Sequence, residues 1–249
     1  AVLVLELLTV YPRTSVCIST GLLVLSLGMV GAMSASAAAD IKQSRAKDQQ
    51  LAVLNQQLMV DKHEDKGKFS KEWAKLVSAG APGDEARLLG ILATLASRSA
   101  VNGKQPTPKQ ANTLANVDAL IEEAAEVAPA FHEFLRALVE AHGGEYLQGP
   151  NKTRARAIEK IEGDYGGDHT KLVDAVRASA IFMTFAQLTL AVQALLEDGC
   201  KLIVVRAKDR FNNPLDSGYR DMLMNVRLQG SEHVGELQLH LKTIIDIKE

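Results

Sequence analysis

The chain has 249 residues, of which 47% are hydrophobic but only 4% aromatic. It is long enough for one domain with an appendage or for two small ones, with a core of Ala, Leu and Val that favours helices. A formal net charge of -2 gives no global drive toward nucleic acid, so no nucleic-acid partner is expected and any basic site must be local. The two cysteines, Cys17 and Cys200, stand far apart in unlike contexts, which argues against a disulfide framework and against a cysteine zinc site.

From Val16 to Ala39 there is no charged residue, with Arg13 before the run and Asp40, Lys42, Arg45 and Lys47 after it. A run of roughly 20 apolar residues is long enough to cross a bilayer. Three readings compete: a membrane-spanning helix, a targeting segment with a small-residue cleavage site at Ala35 to Ala39, and a buried helical hairpin. A membrane anchor over residues 16–39, within a hydrophobic segment 1–39, is the reading carried forward. The missing initiator Met is read as a processed chain, a fragment or a sequence whose start was not established, and a C-terminal truncation at Glu249 is a further expectation.

Residues 40–105 read as a helical stalk or linker. Leu51, Leu54 and Leu58 share one helical face, and His63 to Lys68 reads as a charged break. Gly80 to Gly83 is a turn, with Asp84 placed to cap a helix from Glu85 to Ser99 whose stripe is Leu88, Leu92 and Leu95. Asn102-Gly103-Lys104-Gln105-Pro106 reads as a linker. Thr107 and Pro108 then suit the start of a helix running to about Val127. Pro129 opens a further helix with Phe131, Phe134, Leu135 and Leu138 inward, ended by Gly143-Gly144. His132 and His142 read as solvated surface histidines.

Lys152, Arg156 and Lys160 follow at i, i+4 and i+8, a spacing that lines three cations along one helical edge, with Arg154 a rival for the middle position. A solvated, salt-bridged face is the alternative, since Glu159 and Glu162 are close by. Asp174-Ala175-Val176-Arg177 leads into an apolar strand, Ala178 to Phe182. Phe185 to Asp198 is a crossover helix, and Lys201 to Ala207 a second strand, parallel to the first. Lys208 to Ser217 forms its exit loop, where ligands of α/β folds tend to bind. In Val234 to His240, Glu236, Gln238 and His240 alternate with Leu237 and Leu239, so one face of this strand is wet and chemically equipped. Asp174 and Glu236, flanked by Lys208, Arg210 and Arg220, suit a divalent metal with a phosphate-bearing ligand.

The order Lys152-x-x-x-Arg156-x-x-x-Lys160, Asp174-x-x-Arg177, Lys208-Asp209, Gly218-Tyr219 and Glu236-x-Gln238 resembles the synthetase domain of the RelA/SpoT family, which transfers pyrophosphate from ATP to a guanosine nucleotide. The resemblance runs from roughly Ala124 to the C-terminus. It implies an α+β or α/β domain over residues 106–249, a mixed sheet flanked by helices. It implies that Asp174 and Glu236 hold magnesium, and that Glu236 is also the base taking a proton from a ribose hydroxyl. Lys152, Arg156 and Lys160 would meet the ATP phosphates and Arg177 the triphosphate. Lys208, Arg210 and Gln238 complete the expected nucleotide-binding set, and Tyr219 would stack on a guanine base or, alternatively, close its loop on the core.

The acceptor string departs from the family. Active synthetases commonly read Gly-Tyr-Gln-Ser followed by Leu/Ile-His; here it is Gly218-Tyr219-Arg220-Asp221-Met222-Leu223, with Leu223 in the His position. Gln238-Leu239-His240 replaces Gln-Ile-Arg, and no His-Asp hydrolase signature stands upstream. Two expectations follow. One is a membrane-anchored, magnesium-dependent pyrophosphoryl or nucleotidyl transferase of an ATP- or GTP-type nucleotide, with altered acceptor specificity or a retired site. The other is a non-catalytic subunit that uses this fold to dock other protein subunits in a larger organellar membrane complex, photosynthetic ones included. A sensor that binds nucleotide without reacting lies between them. The resemblance and the missing Met favour an organelle membrane, a plastid first.

Overall fold

A computed structural model describes residues 64–111 and 115–247, together with Lys47 and Gln50. The chain divides into two compact units, Ala1–Asp61 and Lys62–Glu249, and the second carries the architecture below. The expected anchor at 16–39 and the stalk leucines lie outside the described residues. Among the described residues no helix is long and apolar enough to cross a membrane.

The second unit begins with helix α1, residues 64–79. The charged stretch after His63 is therefore helical rather than a break. Phe69 and Trp73, one helical turn apart, are buried in the same core as Leu88, Leu92 and Leu95 of α2 (Asp84–Ser99). Both helices thus bury their apolar stripes in the core of the unit Lys62–Glu249, ahead of the boundary expected at residue 106. The expected linker is a tight turn. Asn102 and Gly103 take positive φ, Val101 and Lys104 exchange backbone hydrogen bonds of 2.8 and 3.1 Å, and the Gln105 side chain accepts from Ala207 N at 2.9 Å.

Helix α3, Val117–Ala141, is capped by Asn116 Oδ1, which accepts from Ala119 N at 3.0 Å. It runs straight through Pro129, where the sequence suggests two helices. Leu120, Ala124, Ala128, Phe131, Leu135 and Val139 form one uninterrupted buried stripe, and that burial outweighs the ~3 kcal/mol that an interior proline costs. His132 is buried too, its Nδ1 2.6 Å from Tyr146 Oη, so it is not a surface histidine.

Strand β1 (Glu145–Gln148) was not foreseen; helix α4 (Arg154–Tyr165), strand β2 (Arg177–Phe182), helix α5 (Phe185–Leu196), strands β3 (Leu202–Asp209), β4 (Met222–Leu228) and β5 (Gly235–Leu241), and a final turn of helix, α6 (Lys242–Ile245), complete the chain. The five strands form one mixed sheet in the order β1-β2-β5-β4-β3. Only β2 and β5 pair in parallel; the other neighbours are antiparallel. The two strands joined by α5 do run the same way, as expected, but β5 and β4 lie between them.

Register divides the sheet into two faces. Ala178, Ala180 and Phe182 pair with Leu237, Leu239 and Leu241, and Met222 and Met224 lie across from Leu239 and Leu237. These residues join those of α2, α3 and α5 in one core. The helices thereby cover the apolar face, and the opposite face, headed by Glu236 and Gln238, is left to do chemistry.

Gln110 ties the sheet to the incoming chain in a segment, 105–111, where no helix forms. Only 2% exposed, it donates through Nε2 to Leu172 O (3.0 Å) and Val234 O (2.8 Å) and accepts through Oε1 from Val234 N (2.8 Å). Replacing it by Leu leaves three buried backbone groups unpaired, and urea denaturation should show a loss of about 2–4 kcal/mol.

Candidate functional site

Residues opposite one another in register point to the same side of a sheet. On the polar face they form two transverse rows. Arg206 on β3, Asn225 on β4, Glu236 on β5 and Arg177 on β2 make the first; Lys208, Leu223, Gln238 and Ser179 make the second. Glu236 accepts from Gln238 Nε2 at 2.7 Å, and Asn225 Oδ1 accepts from Arg206 Nε at 2.9 Å. The strands are staggered, so the C-terminal half of β3 is level with the first residues of β2 and β5. That stagger brings Arg206 and Lys208 to Glu236.

Asp174 lies in the loop that enters β2, two residues before Val176, whose carbonyl accepts from Glu236 N at 2.9 Å. The two carboxylate-bearing segments therefore meet at one end of the parallel pair. Asp174 is 8% exposed, and its Oδ2 receives Lys152 Nζ at 2.9 Å and Lys160 Nζ at 2.8 Å. Burial alone would raise its pKa, but the Lys160 and Lys152 ammonium groups together prevail and hold the carboxyl below its ordinary value.

The expected edge of three cations does not form. Lys152 precedes α4, whose N-cap is Thr153, so it approaches Asp174 from the loop while Lys160 approaches from the helix. Arg156 faces solvent and pairs with Glu159, and its rival Arg154 pairs with Asp118 on α3. With Lys152 ahead of the helix, the three cations do not share a helical edge; Arg156 and Lys160 still lie on one side of α4, one turn apart, but of the two only Lys160 pairs with Asp174.

Further expected residues are engaged in holding the loop between β3 and β4. Arg210 donates to both oxygens of the buried Asp221, at 3.0 and 3.1 Å. Arg220 stacks on Trp73, its guanidinium carbon 4.4 Å from the ring centre, and does not flank the carboxylates. Tyr219 is 5% exposed, edge-on to Phe69 with ring centres 5.5 Å apart, its hydroxyl 3.1 Å from His240 Nδ1. This is the arrangement of a tyrosine that closes the loop on the core. Burial, followed by the Asp221 charge, drives the phenol pKa well up. Arg177, by contrast, is exposed beside Glu236, and Gly149 leaves room for it: a Cβ there would fall 2.5 Å from Arg177 Cγ.

Arg206 and Asn225 were not singled out from the sequence, although Arg206 stands two residues before Lys208 and a strand puts i and i+2 on one face. The pKa of Lys208 is lowered by burial first and then by Arg206 and Arg210, with Glu236 acting in the opposite sense. Cations crowded together in this way around a carboxylate suit a polyanionic ligand.

For magnesium, Asp174 Oδ1 is buried and has no hydrogen-bond partner. Among the described residues no group of three or more His, Cys, Asp or Glu converges. Magnesium is commonly held by one or two carboxylates together with substrate phosphates, and the free Asp174 oxygen fits that mode.

Comparison with known proteins bears on this arrangement. No family model matches the chain. It is 33% identical over 112 residues to the (p)ppApp synthetase toxin Tas1 of Pseudomonas aeruginosa (strain UCBPP-PA14). Over that stretch the chain is homologous to Tas1, and the match is partial. It spans 45% of this chain and 24% of Tas1. Among solved structures, the complex of the type VI effector Tas1 with its immunity protein aligns at 27% identity over 54% of this chain and 66% of that one, with a TM-score of 0.43. The small alarmone synthetase 1 of Bacillus subtilis aligns at 12% identity over 52% and 73%, also with a TM-score of 0.43.

In this domain the Asp174 carboxyl is depressed on folding, so its stabilising contribution is present above the unfolded carboxylate pKa and is lost as pH falls through the folded value. Asp174→Asn should flatten the acid side of the stability–pH curve. At pH 7, denaturant titration should show a loss of about 2–3 kcal/mol, because two partly buried ammonium groups lose their anion.

Proposed function

We propose that this chain is a nucleotide pyrophosphoryltransferase of the alarmone-synthetase kind. The observation that carries the reading is the polar sheet row in which Glu236 stands between Arg177 on one side and Asn225 and Arg206 on the other. Homology to a (p)ppApp synthetase supports it. The chain matches about a quarter of that relative, so the activity, substrates and partners of the whole protein are part of the proposal.

In this mechanism Glu236 accepts the proton of a ribose hydroxyl as that oxygen attacks the β-phosphorus of ATP. The bond from the β-phosphorus to the bridging oxygen breaks, and AMP leaves. Lys152, Lys160 and Arg177 hold the donor phosphates, while Arg206 and Lys208 receive phosphates on the other side of Glu236. Gln238, bonded to Glu236, fixes the carboxylate's rotamer. Magnesium, when bound at Asp174 and Glu236, would neutralise the pyrophosphate being transferred.

The acceptor is proposed to be an adenosine nucleotide. Leu223, 9% exposed between Lys208 and Gln238 in its row, offers no hydrogen bond where the family's guanosine synthetases carry His, and Tas1 is described as a (p)ppApp synthetase. The docking-subunit reading has no comparable support. A membrane location stays a sequence expectation, carried by residues 16–39.

Incubating the protein with ATP and magnesium, alone and with GDP, and separating products by anion exchange tests this. A pyrophosphorylated adenosine nucleotide is expected, with Glu236→Gln at least ~100-fold slower while ATP binding is retained. Products on guanosine alone would overturn the acceptor assignment, and full activity in Glu236→Gln would overturn the mechanism.

A further inference from the structure

Asn225 stands between Arg206 and Glu236 and is fully buried. Its Oδ1 accepts from Arg206 Nε at 2.9 Å. A guanidinium only donates, so the amide cannot be turned round, and Nδ2 is left as a buried donor with no partner. Such an atom is costly; a leucine of similar volume would remove the cost. What the amide does for Arg206 is therefore the reason to look for its role.

Adjacent strands lie about 4.8 Å apart, so Arg206 on β3 and Glu236 on β5 are separated by roughly 10 Å at the backbone. Their extended side chains can span that distance. Yet among the described residues Glu236 is bonded to Gln238 and Arg206 to Asn225, and the two form no ion pair with each other. A neutral side chain of fixed orientation occupies the space between them. The Arg206 guanidinium is half-buried, which strengthens its attraction to any carboxylate within reach.

We propose that Asn225 is a positioning residue that holds Arg206 away from the Glu236 carboxylate, leaving the cation available to a phosphate and the carboxylate to a proton. The functional meaning rests on Glu236 being the base; the restraint itself is a property of the fold. An Arg206–Glu236 pair, once closed, would satisfy both charges internally and leave the site unable to receive substrate.

The test is a double-mutant cycle on the unfolding constant of the full chain, read by urea denaturation. Arg206→Gln, Glu236→Gln and the double variant are compared in the wild-type and the Asn225→Leu backgrounds. In the wild type the two charges already attract across the amide without bonding, so the two effects should couple only modestly. In Asn225→Leu they should deviate from independence by about tenfold, because the pair has closed. Equal coupling in the two backgrounds overturns the proposal, since a merely structural asparagine would not change it. Asn225→Ser carries the same cycle if the leucine variant does not fold. Pyrophosphate transfer is measured in parallel. If the wild type forms no product while the coupling changes as expected, the functional reading falls and the positioning role stands.

Discussion

The alternation of β5 is the constraint on which the rest depends. Side chains along a strand point to opposite faces with a period of two, so Leu237 and Leu239 enter the core only if Glu236 and Gln238 face away from it. Because β5 sits between β2 and β4, its parity is imposed on both neighbours through the pairing register. A slip by one residue would bury the carboxylate and expose the leucines. The hydrophobic effect acting on one face thus sets the chemistry of the other.

Around that strand, charge is arranged in two ways. Asp174 is buried with two lysines on one oxygen, a grouping held by its own electrostatics. Glu236 is bonded to the Gln238 amide, and the Asn225 amide holds Arg206 off it, while Arg177 lies directly opposite. Asp174 keeps its second oxygen, Oδ1, without a hydrogen-bond partner, and among the described residues Glu236 is bonded to an amide rather than to a cation. That difference suits a division of labour between holding a cation and moving a proton.

Much of this was legible in the chain. The strands at Ala178 to Phe182 and Val234 to His240, the crossover helix after Phe185, and the Glu236–Gln238 face follow from short-range periodicity. The resemblance to the RelA/SpoT synthetases followed from the order of a few polar residues and agrees with the homology to Tas1. Less legible was the first part of the domain. His63 to Lys68 looks like a charged break because Glu, Asp and Lys crowd it, yet Phe69 and Trp73, one turn apart, bury the helix that runs over 64–79. Pro129 suggested a helix start, but it is flanked on both sides by one continuous apolar stripe. Local rules lost at both points to burial, which depends on partners distant in sequence.

The sequence by itself determined which residues could be wet or dry along each element, because that pattern is set by helical and strand periods within a few residues. Only the tertiary structure decided which polar residues meet. Lys160 reaches Asp174 while Arg156 turns to solvent, because α4 begins after Lys152 and packs in one orientation. Arg210, Tyr219 and Arg220 turn inward because Asp221, His240 and Trp73 come to lie against them. Arg206 and Asn225 enter the site because β3 and β4 are staggered against β5. Those meetings depend on register and packing between strands far apart in the chain, and no local spacing encodes them.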